Sequence, residues 1–69
     1  MNAKKLTKDN FVKRVMAIKE IAKKNFPHSP IQVFLNKYLD LKEQDVRNVW
    51  NYQKVDWSIL KKLEIFFNN

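Results

Sequence analysis

The chain contains no glycine and no cysteine, and only one histidine and two prolines, among its 69 residues. Without cysteine there is no disulfide, no thiolate-ligated zinc and no thiol nucleophile. His28 alone supplies too few nitrogen ligands for a histidine-based metal site, so no cofactor is expected. Average usage would place roughly five glycines in a chain of this length. Two-residue β-hairpin turns need positive φ, which glycine supplies most cheaply, so its absence argues against a hairpin-rich fold. No apolar run approaches the ~20 residues of a membrane-spanning helix, and no secretory leader is expected. Acidic residues are scarce as well: seven, against fourteen lysines and arginines, leaving a net charge of +7.

What is present reads as an all-α, single-domain chain. Hydrophobic residues make up 45% of it, enough for a small core despite a charged fraction of 30%. Residues 1–6 carry little apolar content and read as a flexible basic arm preceding one helical domain over 7–69. Thr7 is placed to cap a first helix over 8–25, in which Phe11, Val15, Ile18 and Ala22 recur at helical spacing. Val12 and Ile21 widen that stripe, and Lys13, Glu20, Lys23 and Lys24 fall opposite it. Pro27 and Pro30 end this helix, and Ser29-Pro30-Ile31-Gln32 opens the next with a capping box and proline at the first helical position. That second helix is expected over 30–39, burying Ile31, Phe34, Leu35 and either Tyr38 or Leu39. After a short turn at Asp40-Leu41-Lys42, a third helix over 42–51 carries Val46, Val49 and Trp50 on one side. Either Asp40, with Glu43 as its partner, or Lys42 is its N-cap. Asp56 caps a fourth helix over 56–67, whose buried face holds Ile59, Leu60, Leu63, Phe66 and Phe67.

Nothing along the chain assembles a catalytic site. Ser29 and Ser58 sit at helix starts, His28 reads as a loop residue, and Glu43 and Asp45 lie two apart on a helix and do not face each other. No enzyme is expected. The charge is more informative, because residues 1–25 carry +6 and the remainder only +1. A basic first third points to a polyanionic partner, nucleic acid or an anionic membrane surface. The second and third helices with their turn have the geometry that lays a helix in the DNA major groove. The third helix exposes Gln44, Arg47, Asn48 and Asn51. Arginine reads guanine, and asparagine or glutamine reads adenine.

The stretch Val46-Arg47-Asn48-Val49-Trp50-Asn51-Tyr52-Gln53-Lys54 resembles the recognition helix of the Cro/CI-like and Lac-repressor-type helix-turn-helix repressors. Leu35, Leu39 and Leu41 fall where those families place apolar residues around the turn, and Asp56 to Leu63 resembles the helix that follows. The likeness runs from about Pro30 to Phe67. Asn36 stands at the families' small residue, Asp40 at their turn glycine and Tyr52 at the glycine after the recognition helix. The resemblance implies a four-helix domain containing a helix-turn-helix, a sequence-specific binder of double-stranded DNA and a repressor-like regulator acting at the nucleoid in the cytoplasm. It implies that Gln44, Arg47 and Asn48 reach base edges, and that Lys42, Asn51, Gln53 and Lys54 hold phosphates with help from Gln32. Lys4, Lys5 and Lys8 add a sequence-independent attraction. A homodimer on a two-fold operator follows from the small size of one head, with Trp57, Phe66 and Phe67 as contact candidates. No small-molecule ligand and no membrane insertion are expected. A second class is a protein–protein module, such as a phage-encoded inhibitor or assembly factor. A third is nonspecific packaging, or membrane-surface binding by the basic first helix.

The core implied by this reading is Phe11, Val15, Ile18, Ala22, Phe34, Leu35, Val46, Val49, Leu60 and Leu63. Leu35→Ala or Leu63→Ala is therefore expected to cost about 2–5 kcal/mol in denaturant unfolding, close to the whole stability of so small a domain. A loss below about 1 kcal/mol would remove that residue from the core.

Overall fold

Thr7 begins the first helix as its N-cap, with its side-chain oxygen accepting from the Asn10 backbone N–H at 3.2 Å. A computed structural model describes residues 7–68; the basic arm with Lys4 and Lys5 lies outside the described residues. Four helices follow in order: α1 (Lys8–Asn25), α2 (Pro30–Lys37), α3 (Glu43–Trp50) and α4 (Trp57–Asn68). There is no strand among the described residues. Asp56 caps α4, its carboxylate accepting from the Ile59 N–H at 3.2 Å.

All ten expected core residues are buried, joined by Ile31, Trp50, Ile59 and Phe67. α1 packs most extensively on α4. Phe11 meets Trp57 edge-on near the starts of these helices, with centroids 5.1 Å apart, and Phe26 meets Phe67 at 6.0 Å near their ends. The two helices thus lie side by side and run the same way. Phe34, fully buried, stacks on Tyr38 at 4.6 Å and meets Phe66 edge-on at 5.6 Å, tying α2 to α4. Such ring pairs add about 0.5–1.5 kcal/mol each beyond their area. Arg14 joins α1 to α4 on the outside through two hydrogen bonds to Glu64, at 2.6 and 2.8 Å. The hydrogen bond to Glu64 and the Glu64 charge together hold the Arg14 guanidinium above its ordinary pKa, against a smaller opposing effect of burial. The guanidinium also lies 5.5 Å from the Trp57 ring centroid.

The structure departs from the sequence reading around α2. This helix ends at Lys37 and not Leu39, so residues 38–42 form a longer link to α3. Tyr38 becomes the C-cap because its ring stays on Phe34, and the chain then turns, with the Leu41 N–H donating to the Tyr38 carbonyl at 3.2 Å. That turn packs Leu41 against the core and leaves Leu39 82% exposed, so Tyr38 and not Leu39 is the partly buried member of the pair. Lys42 and not Asp40 is the N-cap of α3. The capping box at Ser29 does not form: Ser29 makes no side-chain cap, and Gln32 instead donates to the Asn36 side chain at 3.1 Å. Among the proposed dimer aromatics, Phe67 is core, whereas Trp57 and Phe66 are half-buried and packed against the chain's own core.

The exit from α3 resolves how a chain without glycine turns there. Tyr52 has φ 64°, the left-handed region. Its N–H donates to the Val49 carbonyl at 3.2 Å and the Gln53 N–H to the Asn48 carbonyl at 2.7 Å, the paired closure of a Schellman motif. A side chain in this conformation costs about 1–2 kcal/mol. The ring recovers part of that by packing on the core beneath the Lys19 ammonium, which lies 4.5 Å from its centroid. The same ammonium donates to the Trp50 carbonyl at 3.1 Å, where the negative end of the α3 dipole favours a cation. Tyr52→Ala keeps the backbone cost and loses the ring, whereas Tyr52→Gly loses both. Urea unfolding should therefore find the alanine variant less stable than the glycine variant by about 1 kcal/mol; equal stabilities would contradict the left-handed turn.

Candidate nucleic-acid interface

α3 is amphipathic by construction. Val46, Val49 and Trp50 are buried, and Gln44, Arg47, Asn48 and Asn51, spaced i, i+3, i+4 and i+7, share the other side. Gln44, Arg47 and Asn51 are exposed and Asn48 is half-buried. The helix is about 12 Å long at 1.5 Å per residue. Its diameter with side chains, about 10–12 Å as for any α-helix, is what the ~12 Å width of the B-DNA major groove admits.

These side chains are already organised in pairs. Arg47 donates through Nε to the Glu43 carboxylate at 2.6 Å. Gln44 donates to the Asn48 side-chain oxygen at 3.0 Å. Lys54, beyond the helix, pairs with Asp45 at 3.2 Å. Both carboxylates on α3 are therefore neutralised by cations from the same surface. Exposed pairs of this type are worth only about 0.3–0.5 kcal/mol, so an external ligand can displace or recruit them.

Beside α3 lies an open groove of about 530 Å³. Arg47 comes to it from α3 and Asn51 from that helix's C-cap, Gln32 from the first turn of α2, and Lys23 from the last turn of α1; His28 borders it from the link between α1 and α2. Three of the expected contact residues (Gln32, Arg47 and Asn51) thus meet on one concavity. Lys42, Gln53 and Lys54 are exposed at the two ends of α3 and do not line it. Lys8, exposed at the start of α1, lies about 22 Å along the helix axis from Lys23. Lys4 and Lys5 fall outside the described residues.

Lys23 and His28 were not singled out as contacts in the sequence. Lys23 stands on the polar side of α1, and only the packing of α1 against α3 brings it near Arg47. His28 immediately precedes Ser29-Pro30, so its position at the mouth of the groove follows once α2 is known to begin there. No polar side chain is buried among the described residues, and no three histidine, aspartate or glutamate side chains gather as a metal site. No described helix is long and apolar enough to cross a membrane.

The chain matches no protein-family model, no curated protein and no solved structure.

Proposed function

We propose that this chain is a sequence-specific double-stranded DNA-binding protein, a small repressor-like transcriptional regulator. In it α2, the 38–42 link and α3 act as a helix-turn-helix. The observation that carries the reading is the meeting of the α3 polar face with the basic groove. Arg47 and Asn51 belong to both, and Lys23, His28 and Gln32 stand beside them. With α3 in the major groove, Arg47, Asn48 and Gln44 face base edges, and the adjoining cationic concavity receives the phosphate strand bordering that groove. Lys42, Gln53 and Lys54 flank the helix as further phosphate contacts, and Lys4, Lys5 and Lys8 supply long-range attraction.

One head of this size makes few contacts, so the reading includes a homodimer on a two-fold site. It places the protein at the nucleoid in the cytoplasm, controlled by abundance or by a partner and not by a small ligand. Binding, not catalysis, is the proposed activity. A second reading, a protein–protein module, draws on the apolar side chains left in solvent, Leu39 above all, with Ile65, Val55 and Met16.

Selection of bound duplexes from a random-sequence DNA pool tests the class. On the enriched duplex, Arg47→Ala should lose about 1–3 kcal/mol and relax discrimination at one base pair. Changing Lys4, Lys5 and Lys8 together to Ala should instead weaken all duplexes alike and flatten the salt dependence. If Arg47→Ala leaves specific binding intact while the triple change abolishes it, α3 is not the reader. Absence of any duplex binding below about 10 µM at physiological salt, weaker than much nonspecific binding, would favour the protein-partner reading.

A further inference from the structure

The Glu43–Arg47 pair engages one particular nitrogen. Glu43 Oε2 accepts from Arg47 Nε at 2.6 Å, and the two terminal Nη groups make no hydrogen bond among the described residues. A guanidinium carries five N–H donors in one rigid plane, so a carboxylate on Nε orients that plane while leaving the terminal fork open. Guanine presents two adjacent acceptors, O6 and N7, at its major-groove edge, which the Nη pair can meet together. Adenine offers one acceptor and one donor there, and the donor opposes an all-donor fork.

Resting on the DNA-binding reading above, we infer that Glu43 is a positioning residue. It holds Arg47 through Nε with its terminal fork presented, and so selects guanine at one position of the site.

The physical effect has two parts. An unrestrained arginine loses side-chain freedom when it docks, and one already held in place loses less. In water the pair is weak, with the two side chains 44% and 60% exposed. A base edge that excludes water strengthens it, because both partners then lie in a lower dielectric. The Glu43 charge also repels phosphate wherever no guanine is engaged. Glu43 thereby lowers affinity for unrelated sequences while sharpening discrimination on the right one. The carboxylate stands at the first residue of α3, where the helix dipole favours it.

The two contributions separate experimentally because glutamine keeps an oxygen able to accept from Nε but carries no charge. The probes are the duplex that the full chain enriches from a random pool, the same duplex with its guanines replaced singly by 7-deazaguanine, and a scrambled duplex. The wild-type chain should lose on the order of tenfold in affinity at one 7-deazaguanine position, as expected when one acceptor of a bidentate contact is removed. Glu43→Ala should reduce that discrimination by about threefold to tenfold, whereas Glu43→Gln should retain most of it. Both variants should bind the scrambled duplex more tightly than the wild type. Full discrimination in Glu43→Ala, or equal losses in both variants, would overturn the positioning role and leave the DNA-binding reading standing. A chain that enriches no duplex would overturn that reading, and this inference with it.

Discussion

A single lysine on α1 decides how the polar half of this molecule is presented. The Lys19 ammonium bonds the last carbonyl of α3 and covers the ring of Tyr52, so one cation closes the helix and steadies the left-handed residue after it. α3 has eight residues, far fewer than an isolated helix needs in water. Its persistence therefore rests on burying Val46, Val49 and Trp50 and on the bonds that satisfy its C-terminal end. Because these three side chains are fixed inward, Gln44, Arg47 and Asn51 are fixed outward. The polar face follows from the packing of the opposite one.

The fold also redistributes the charge. In the sequence the first third is predominantly basic, but two of its cations are engaged within the fold: Arg14 on Glu64 at the surface and Lys19 on the end of α3. Exposed Lys13, Lys23 and Lys24 form no ion pair among the described residues, and only Lys23 borders the groove beside α3. The weakly charged second segment meanwhile contributes Arg47 to the same groove. The basic first helix and the amide-rich third helix therefore act on a shared surface in the proposed account, not as competing sites.

Much of the fold is legible in the sequence because helical spacing reports directly on which side is buried. All four helices and the ten core positions follow from that spacing, and Thr7 and Asp56 mark two starts through short-range cap chemistry. The end of α2 is not legible. Whether Tyr38, Leu39 or Leu41 turns inward depends on the ring of Phe34 and on the route to α3, which are tertiary matters. Gln32 likewise chooses Asn36 over the backbone ahead of it, leaving Ser29 without a side-chain cap. Tyr52 gives no composition signal of positive φ; its ring and Lys19, distant in sequence, make the conformation tolerable. For the candidate site, the polar face of α3 could be read locally. The groove could not, because Lys23, His28 and Gln32 reach it from three separate segments.

In the proposed reading the α3 face and its groove form one nucleic-acid surface. Titrating the isotope-labelled full chain with its enriched duplex, and following backbone and side-chain resonances by NMR, tests this directly. The side-chain signals of Gln32, Gln44, Arg47, Asn48 and Asn51 should shift together with the Lys23 and His28 amides. Changes confined to the outer face of α1, around Lys13, Ala17 and Lys24, or to the neighbourhood of Leu39, would contradict it.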